Sequence, residues 1–383
     1  MPGRQGGLIP AWQPGDPVGD RRFADLGSLP LEWSTTPWAD GALPDVRLAY
    51  ETWGELSPAR DNAVLVLHAL TGDSHVVGPA GPGHPTPGWW GHLIGPGQAL
   101  DTDRWFVVAP NILGGCQGST GPASAAPDGR AWGSRFPRLT TRDQVAAEMA
   151  LADQLGLDRW ALVLGGSAGG MRAVEWAVTE PERVERLMLL ATTPAASADQ
   201  IAWCHAQVRA ITADPAWAGG DFSRTGGSPG PVAGLAVARR IAHITYRSAE
   251  ELAVRFGRAD QSGESVAGGG RYAVESYLDH QGNKLIGRFD AGSYVILTEA
   301  MNGHDVGRDR CGVEAALARV TARTVVAGID SDRLYPVDES ERLAAGITTA
   351  APLVVIHSDH GHDGFLIEVD AVGTLVAELL EGA

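Results

Sequence analysis

Lysine is almost absent from this sequence of 383 residues: Lys284 is the only one, and arginine supplies the rest of the positive charge. A single lysine leaves almost no residue for Schiff-base catalysis or for a phosphate-binding loop of the Walker type. Positive charge as a whole is also scarce, because 46 acidic residues against 30 basic ones give a formal net charge of −16. This balance repels nucleic acid and anionic membranes, so we expect neither as a partner.

Cysteine and long apolar runs are scarce as well. Cys116, Cys204 and Cys311 are odd in number and widely spaced, which is typical of free thiols in a reducing cytosol rather than of a disulfide framework. No stretch reaches the roughly 18 uncharged apolar residues of a membrane helix, and the N-terminal stretch lacks the apolar segment of a signal peptide. We therefore expect a cytoplasmic protein in which residues 1–20 form a flexible N-terminal segment.

Short, continuous runs of apolar and β-branched residues recur along the chain. Continuous rather than alternating apolar character is typical of strands buried on both faces, as in a parallel sheet. Helical patterns at 141–156, 170–180 and 363–382 lie between or after these runs. The alternation predicts a doubly wound α/β fold. The predicted strands are residues 63–69, 104–110, 160–165, 186–192, 323–329 and 352–357.

The strand pattern stops between about residues 197 and 305. Ser197 and Gln200 have the spacing of a capping box that opens a helix. The sequence that follows is helical, contains arginines and is interrupted by glycine-rich turns. We predict a helical lid subdomain at 197–305, inserted into a core made of residues 21–196 and 306–383.

A serine lies at the centre of the glycine-rich stretch Gly165-Gly166-Ser167-Ala168-Gly169. This Gly-x-Ser-x-Gly spacing, between a predicted strand and a predicted helix, matches a nucleophile elbow, a tight turn that lifts the serine hydroxyl above the edge of a sheet. A serine becomes an effective nucleophile when a histidine accepts its proton and a carboxylate orients that histidine. The pattern therefore predicts acyl transfer through Ser167.

The carboxylate and the histidine follow the serine in that order in an α/β-hydrolase arrangement. Asp330 and Asp332 come directly after one predicted strand, and their spacing favours Asp332 only weakly. His357, His360 and His362 follow the last predicted strand. We select His362 because it directly precedes the final helix, whereas we expect His357 to end the strand.

Two further features of the predicted site come from the same reasoning. An oxyanion hole needs two backbone N–H groups, which we expect from Ala168, directly after the nucleophile, and from Leu70, in loop 68–73. The three histidines near the C-terminus lack a set of carboxylates or cysteines at ligand spacing, so we expect no metal.

Seven longer motifs are distributed over about residues 45 to 368. They read LHALTGDSH, GPAGPGHPTPGWW, NILGGCQGSTGP, GGSAGGMRAVEW, RFDAGSYVILTEAMNGHDVGR, SDRLYP and GHDGFL. Together they resemble homoserine O-acetyltransferases, enzymes of methionine biosynthesis. The resemblance implies an α/β-hydrolase fold with a homodimer formed through the lid helices. It also implies a ping-pong reaction that passes an acetyl group from acetyl-CoA, through an acetyl-serine, to the hydroxyl of L-homoserine. Acetyl-CoA is then a co-substrate, and no cofactor is permanently bound.

The resemblance also assigns the catalytic triad. The nucleophile, the acid and the base of the family fall on Ser167, Asp332 and His362, so the choice between Asp330 and Asp332 is made by resemblance. One position departs from the family, since Ala168 stands where a methionine usually follows the nucleophile. The alanine keeps the backbone N–H but shortens a side chain of the acyl pocket.

Acceptor-binding residues are assigned in the same way. The arginine of the family falls on Arg239, its nearby tyrosine on Tyr246 and its acidic residue on Asp363. These side chains suit an amino-acid acceptor, because a guanidinium binds a carboxylate in a bidentate manner and a carboxylate binds an ammonium group.

Other functions are compatible with these residues. The same chemistry can use a succinyl donor or a serine acceptor, which gives a homoserine O-succinyltransferase or a serine O-acetyltransferase. An esterase or thioesterase would pass the acyl group to water from the same triad. A noncatalytic binding protein is disfavoured because all three triad residues are present.

Overall fold

The computed structural model of the protein describes residues 11–33, 41–222 and 230–382. Eight strands form one sheet, and two short strands pair separately. In chain order, the strands are β1 (Arg22–Pro30), β2 (Ala42–Trp53), β3 (Ala63–Leu67), β4 (Ile94–Gly95), β5 (Leu100–Asp101), β6 (Phe106–Pro110), β7 (Leu162–Gly166), β8 (Arg186–Leu190), β9 (Arg323–Ile329) and β10 (Val354–Ile356). The order across the large sheet is β1-β2-β6-β3-β7-β8-β9-β10.

The parallel part of this sheet consists of β6, β3, β7, β8, β9 and β10. Every residue of β3 and β7 is buried, as the continuous apolar runs require. All six predicted strands occur, and their ends lie within two residues of the predicted ones. The predicted α/β fold with a mostly parallel sheet is therefore confirmed.

An antiparallel pair at one edge of the sheet was not predicted. Strand β2 runs antiparallel to both β1 and β6. The pairing of β1 with β2 shifts register on both sides of Gly27, where φ is 71°. Such bulges interrupt the regular alternation of side chains, so this edge lacks the pattern that identifies the central strands.

Helices cover both faces of the sheet. In the described ranges, the helices are α1 (Thr141–Gln154), α2 (Ala168–Thr179), α3 (Ala198–Thr212), α4 (Val232–Tyr246), α5 (Ala249–Phe256), α6 (Ala273–Ile286), α7 (Ala291–Asn302), α8 (Val313–Leu317), α9 (Val337–Gly346), α10 (Gly364–Ile367) and α11 (Val369–Glu381). Leu65 of β3 belongs to an apolar cluster that includes Val174 of α2, whereas Val64 belongs to a second cluster that includes Val372 of α11. Neighbouring residues of one strand thus face two different helical layers.

Helices α3 to α7 lie in the connection between β8 and β9, and no strand lies among the described residues of 197–305. Ala195 and Asp305 form an antiparallel bridge that brings the two ends of this connection together. Beside the bridge, the Val306 N–H donates to the Pro194 carbonyl over 3.0 Å. The capping box at Ser197 opens α3. The bridge lies next to the predicted ends of the lid, 197 and 305.

Part of the predicted flexible N-terminal segment packs against the core. Ala11 is buried, and the Trp12 N–H donates to the Cys116 carbonyl over 2.8 Å. The Asp20 N–H donates to Nε2 of His84 over 3.0 Å. Residues 11–20 are therefore tied down by contacts that are distant in sequence, whereas residues 1–10 lie outside the described residues. None of the helices in the described ranges has the length and apolar character needed to cross a membrane.

Candidate active site

Ser167 lies at a sharp turn between β7 and α2, with φ 55° and ψ −125°. A positive φ is unfavourable for a residue with a side chain, typically by about 1–3 kcal/mol. The turn is held by two contacts: the Ser167 N–H donates to the Leu190 carbonyl over 3.0 Å, and Thr192 Oγ1 donates to the Ser167 carbonyl over 2.8 Å. The end of β8 thus stabilises the strained geometry expected of a nucleophile elbow.

The two motif glycines are required by close packing at this turn. A Cβ on Gly169 would lie 2.0 Å from the carbonyl oxygen of Leu67, and one on Gly165 would lie 2.3 Å from the carbonyl oxygen of Gly169. Neither clash can be relieved by moving a side chain, because both partners are backbone atoms. Only glycine at these positions lets α2 begin directly against the strands.

Asp332 and His362 form a buried pair at the carboxyl ends of β9 and β10. Oδ2 of Asp332 lies 2.6 Å from Nδ1 of His362, and its Oδ1 accepts the backbone N–H groups of Leu334 and Tyr335 over 2.8 and 2.9 Å. Burial alone would lower the pKa of His362, but the charge and hydrogen bond of Asp332, helped by Asp363, raise it above its ordinary value. The carboxylate is thus rigidly held, and it leaves Nε2 of the histidine free to act as a base.

Asp330 is placed differently, although it is two residues away. Its Oδ2 bonds to Nδ1 of His357, and its Oδ1 accepts the Ser358 N–H over 3.0 Å. The His357 side chain is 88% exposed. His360 faces Glu251, with 3.6 Å between Nδ1 and Oε1. The geometry therefore brings Asp332 together with His362, a choice that spacing favoured only weakly.

Aromatic side chains connect His362 to the elbow. The Tyr335 ring lies 5.0 Å from the His362 ring and belongs to an apolar cluster with Met171, one helical turn after Ser167. The centroid of the Phe365 ring lies 5.5 Å from that of the His362 ring, and the Phe365 ring also packs against Gly166. Among the described residues, Ser167 Oγ and His362 Nε2 do not form a hydrogen bond, which is common before substrate binds.

The two residues selected for the oxyanion hole have similar surroundings. Leu70 and Ala168 belong to one apolar cluster and are both buried. Neither backbone N–H donates to another residue in the described part of the chain. Ala168 is also the first residue of α2, so its N–H lies at the positive end of the helix dipole. The arrangement suits the stabilisation of a negative oxygen.

A buried ion pair behind the site was not anticipated from the sequence. Nη2 of Arg172, in α2, donates to the His68 carbonyl over 2.6 Å, and its Nη1 pairs with Glu148 of α1. Trp176 donates to the same carboxylate over 2.9 Å. This network ties the loop that carries Leu70 to the helix that begins at the nucleophile.

The predicted acceptor residues Arg239 and Tyr246 lie on the lid helix α4, above the triad. The Tyr246 ring is 5.8 Å from the His362 ring and 5.4 Å from the Arg239 guanidinium carbon. Burial raises the pKa of Tyr246 to about 12, against the opposing charge of Arg239. A neutral tyrosine therefore separates His362, the predicted base, from a cationic side chain.

Asp363 already has a partner within the protein. Its Oδ2 lies 3.1 Å from Nη2 of Arg247. Burial raises the pKa of Asp363, although the charges of Arg247, His362 and Arg239 oppose this effect. An ammonium group that binds here would have to share the carboxylate with Arg247.

Four residues outside the triad have metal-ligand atoms close together. Atoms of Asp20, Glu51, His75 and His84 lie within 4.8 Å of one another. Nδ1 of His75 hydrogen-bonds to Glu51 over 2.9 Å, and the two histidine rings stack with 3.7 Å between their centroids. The cluster joins the N-terminal residues to β2 through the Asp20–His84 hydrogen bond, the stacked histidine rings and the His75–Glu51 hydrogen bond. The absence of a metal stays a prediction.

This fold and this site define an α/β hydrolase. The model of the α/β-hydrolase fold family matches residues 62–367. An acetylester hydrolase from Corynebacterium glutamicum has the same fold, with a TM-score of 0.80 and 27% identity over 95% of this chain and 97% of that one.

Relatives with much higher sequence identity, and another solved structure, are acetyltransferases rather than hydrolases. The homoserine O-acetyltransferase of Thermobifida fusca (strain YX) is 64% identical over 371 residues, which cover 97% of this chain and 96% of that protein. The crystal structure of homoserine O-acetyltransferase from Bacillus anthracis aligns with a TM-score of 0.84 and 26% identity, over 94% of this chain and 97% of that one. The chain belongs to the homoserine O-acetyltransferase family.

Proposed function

We propose that this enzyme transfers an acetyl group from acetyl-CoA to the hydroxyl of L-homoserine and releases O-acetyl-L-homoserine and CoA. The observation that carries the proposal is the position of Arg239 and Asp363 beside a serine triad. The triad supplies acyl chemistry, and the two charged residues match the carboxylate and the ammonium group of an amino acid. A simple ester substrate has no need of both charges.

The first half-reaction loads the serine. Ser167 Oγ attacks the thioester carbonyl of acetyl-CoA while Nε2 of His362 accepts the hydroxyl proton. The Leu70 and Ala168 N–H groups stabilise the negative oxygen of the tetrahedral intermediate. The carbon–sulfur bond then breaks, and the CoA sulfur leaves with the proton from His362. The product is an acetyl ester of Ser167.

The second half-reaction transfers the acetyl group from Ser167 to the acceptor. The homoserine hydroxyl attacks the acetyl carbonyl, and its proton passes to Nε2 of His362. The bond between the acetyl carbon and Ser167 Oγ breaks, and Oγ regains a proton from the histidine. Because water can replace the hydroxyl, the enzyme must hold its acceptor near the base more effectively than it holds water.

Hydrolysis of acetyl esters is the second candidate function, because the acetylester hydrolase from Corynebacterium glutamicum shares the fold at 27% identity. Succinyl-CoA as the donor and serine as the acceptor are further alternatives. The partition of the acetyl-enzyme between water, serine and homoserine separates these reactions.

The homodimer is also a proposal. Five of the eight large apolar side chains that are exposed in the described part of the chain lie on α3, α4 and α5: Ile201, Trp203, Val237, Ile244 and Val254. The concentration of exposed apolar side chains on these lid helices favours an interaction surface there. The cytoplasmic location stays a prediction.

The test of the proposed function is the isolation of the acetyl-enzyme. Wild-type protein mixed with acetyl-CoA alone and quenched in acid should gain one acetyl group by intact mass, and Ser167→Ala should gain none. Cys311→Ala is the matched control, because Cys311 is an exposed thiol that acetyl-CoA could label directly. Labelling that persists in Ser167→Ala and disappears in Cys311→Ala would refute the proposal. Homoserine added to the wild-type acetyl-enzyme should discharge it with formation of the O-acetyl product.

A further inference from the structure

Two arginines converge on Thr71, the residue after Leu70. Nη1 of Arg239 donates to Thr71 Oγ1 over 3.3 Å, and Nη1 of Arg288 donates to the Thr71 carbonyl over 2.8 Å. Arg239 lies on α4, and Arg288 lies in the short connection between α6 and α7. The lid therefore places two guanidinium groups against one residue of the loop that forms the oxyanion hole.

Neither of these two charges forms an ion pair within the described ranges, although Asp73 lies close enough to raise the pKa of Arg288. Arg240 and Arg247, their neighbours in the lid, form ion pairs with Asp279 and Asp363, whereas neither Arg239 nor Arg288 forms an ion pair with a described carboxylate. Nε of Arg239 is buried without a hydrogen-bond partner.

The proximity of the two charges also affects Arg288 itself. Burial lowers the pKa of Arg288, and the like charge of Arg239 lowers it further, although Asp73 opposes both effects. Two half-buried cations side by side are unfavourable unless an anion joins them. A bound anion would relieve the repulsion between these two guanidinium groups.

We propose that Arg288 is a second ligand for the carboxylate of the amino-acid acceptor, which Arg239 and Arg288 bind together. This inference rests on the proposed transfer to L-homoserine. A carboxylate has two oxygens with about four lone-pair positions, enough to accept hydrogen bonds from both guanidiniums. Neither water nor a simple alcohol carries this group. The pair therefore selects an amino-acid acceptor over water in the second half-reaction.

A purely structural role for Arg288 predicts a different result. If its hydrogen bond to Thr71 only supports the loop, its loss would displace the Leu70 N–H, which serves both half-reactions. Acylation and deacylation would then slow together for every acceptor. A carboxylate ligand instead affects only deacylation, and only by acceptors that carry a carboxylate.

The experiment compares Arg288→Gln with Arg240→Gln, a matched control that removes the same charge from the same lid at a residue paired with Asp279. Single-turnover measurements follow acylation by acetyl-CoA, then deacylation by L-homoserine and by 3-aminopropan-1-ol, which is homoserine without its carboxylate. Arg288→Gln should lower kcat/KM for homoserine by about 10- to 150-fold, the loss expected for a charge-assisted hydrogen bond. Acylation and deacylation by 3-aminopropan-1-ol should be nearly unchanged, and Arg240→Gln should resemble wild type.

The conservative variant Arg288→Lys retains the charge without the planar fork, so it should show a smaller loss for homoserine only. It also keeps the inference testable if Arg288→Gln does not fold. Equal slowing of acylation and of deacylation by both acceptors, or no effect on homoserine, would overturn the role of Arg288 and leave the proposed function intact. If homoserine fails to discharge the wild-type acetyl-enzyme, this result refutes the proposed function, and the inference on Arg288 is refuted with it.

Discussion

Two aspartate–histidine pairs lie at the carboxyl ends of β9 and β10, and they differ chiefly in burial. The side chains of Asp332 and His362 are 0% and 4% exposed, whereas those of Asp330 and His357 are 35% and 88% exposed. Both pairs join a carboxylate to Nδ1 of an imidazole. Only the buried pair packs against the elbow, through Tyr335.

The comparison shows that the surroundings of a pair decide how strongly its members interact. In a buried site, the field of the carboxylate acts on the histidine with little screening, and backbone donors fix the position of the carboxylate. Water and salt screen the exposed pair, so its interaction contributes little. The two aspartates, two positions apart, therefore suit different roles.

The largest effect on activity is expected when the two aspartate–histidine pairs are disrupted one at a time. Asp332→Asn should lower kcat by about 10⁴-fold, because the amide leaves His362 in the wrong tautomer. Asp330→Asn, the matched control, should be close to wild type. Steady-state rates of acetyl transfer measure both variants, with thermal unfolding to verify that each is folded. The opposite ranking would show that the exposed pair is the catalytic one.

An intermediate effect is expected from a substitution in the lid, which tests whether the lid acts in a different step from the buried pair. In the proposed reaction, His362 should act in both half-reactions, whereas Arg239 should act only when the acceptor binds. Arg239→Ala should therefore leave acylation by acetyl-CoA nearly intact and reduce kcat/KM for homoserine by about 10- to 150-fold. Slow hydrolysis of acetyl-CoA should be unchanged.

The matched control for this change is Arg240→Ala, which removes the adjacent lid arginine together with its ion pair to Asp279. Single-turnover kinetics of the two half-reactions measure the effect. Equal losses in acylation and in deacylation would place Arg239 in a structural or CoA-facing role.

The smallest expected effect concerns pH. The base must be neutral to accept a proton, and the pKa of His362 is raised above its usual value of about 6.5. Activity should therefore fall as the pH decreases through this raised pKa, and the acidic limb of kcat/KM should lie above pH 6.5. The hydrogen bond to Asp330 raises the pKa of His357 as well.

Asp330→Asn distinguishes these two titrations. The pKa of His357 should drop in this variant, which NMR titration of the ring measures, while the acidic limb of activity stays in place. A limb that moves with Asp330→Asn would mean that the exposed pair influences catalysis.

Much of the fold could be predicted because its signals are local. Each central strand is buried on both faces, so its apolar run is continuous and can be recognised without knowledge of its neighbours. The pair β1 and β2 could not be recognised in this way, because the register shifts around Gly27 interrupt its pattern. Residues 11–20 were predicted to be flexible, yet partners such as Cys116 and His84, distant in sequence, hold them.

The residues of the site also differ in whether their signals are local in the sequence. Ser167 was selected by a motif whose two glycines are required by backbone contacts within the turn and its adjoining strands. Arg288 was not predicted as a site residue, although it lies in one of the seven motifs. Its proximity to Arg239 arises only in the folded protein, where both side chains donate to Thr71. The buried pair of Arg172 and Glu148 was missed for the same reason.

By itself, the sequence determined the class of fold and predicted Ser167 as the nucleophile, since the first depends on periodicity and the second on spacing within a short stretch. Asp332 was selected by family resemblance, and the tertiary structure supplies the contact with His362 that spacing could not. Only the tertiary structure decided which lid arginines lie without an ion pair among the described residues, and where the lid closes on the core. The physical reason is that hydrogen bonds, ion pairs and burial depend on distances in space. Residues such as Asp332 and His362 become neighbours only when β9 and β10 end at the same edge of the sheet.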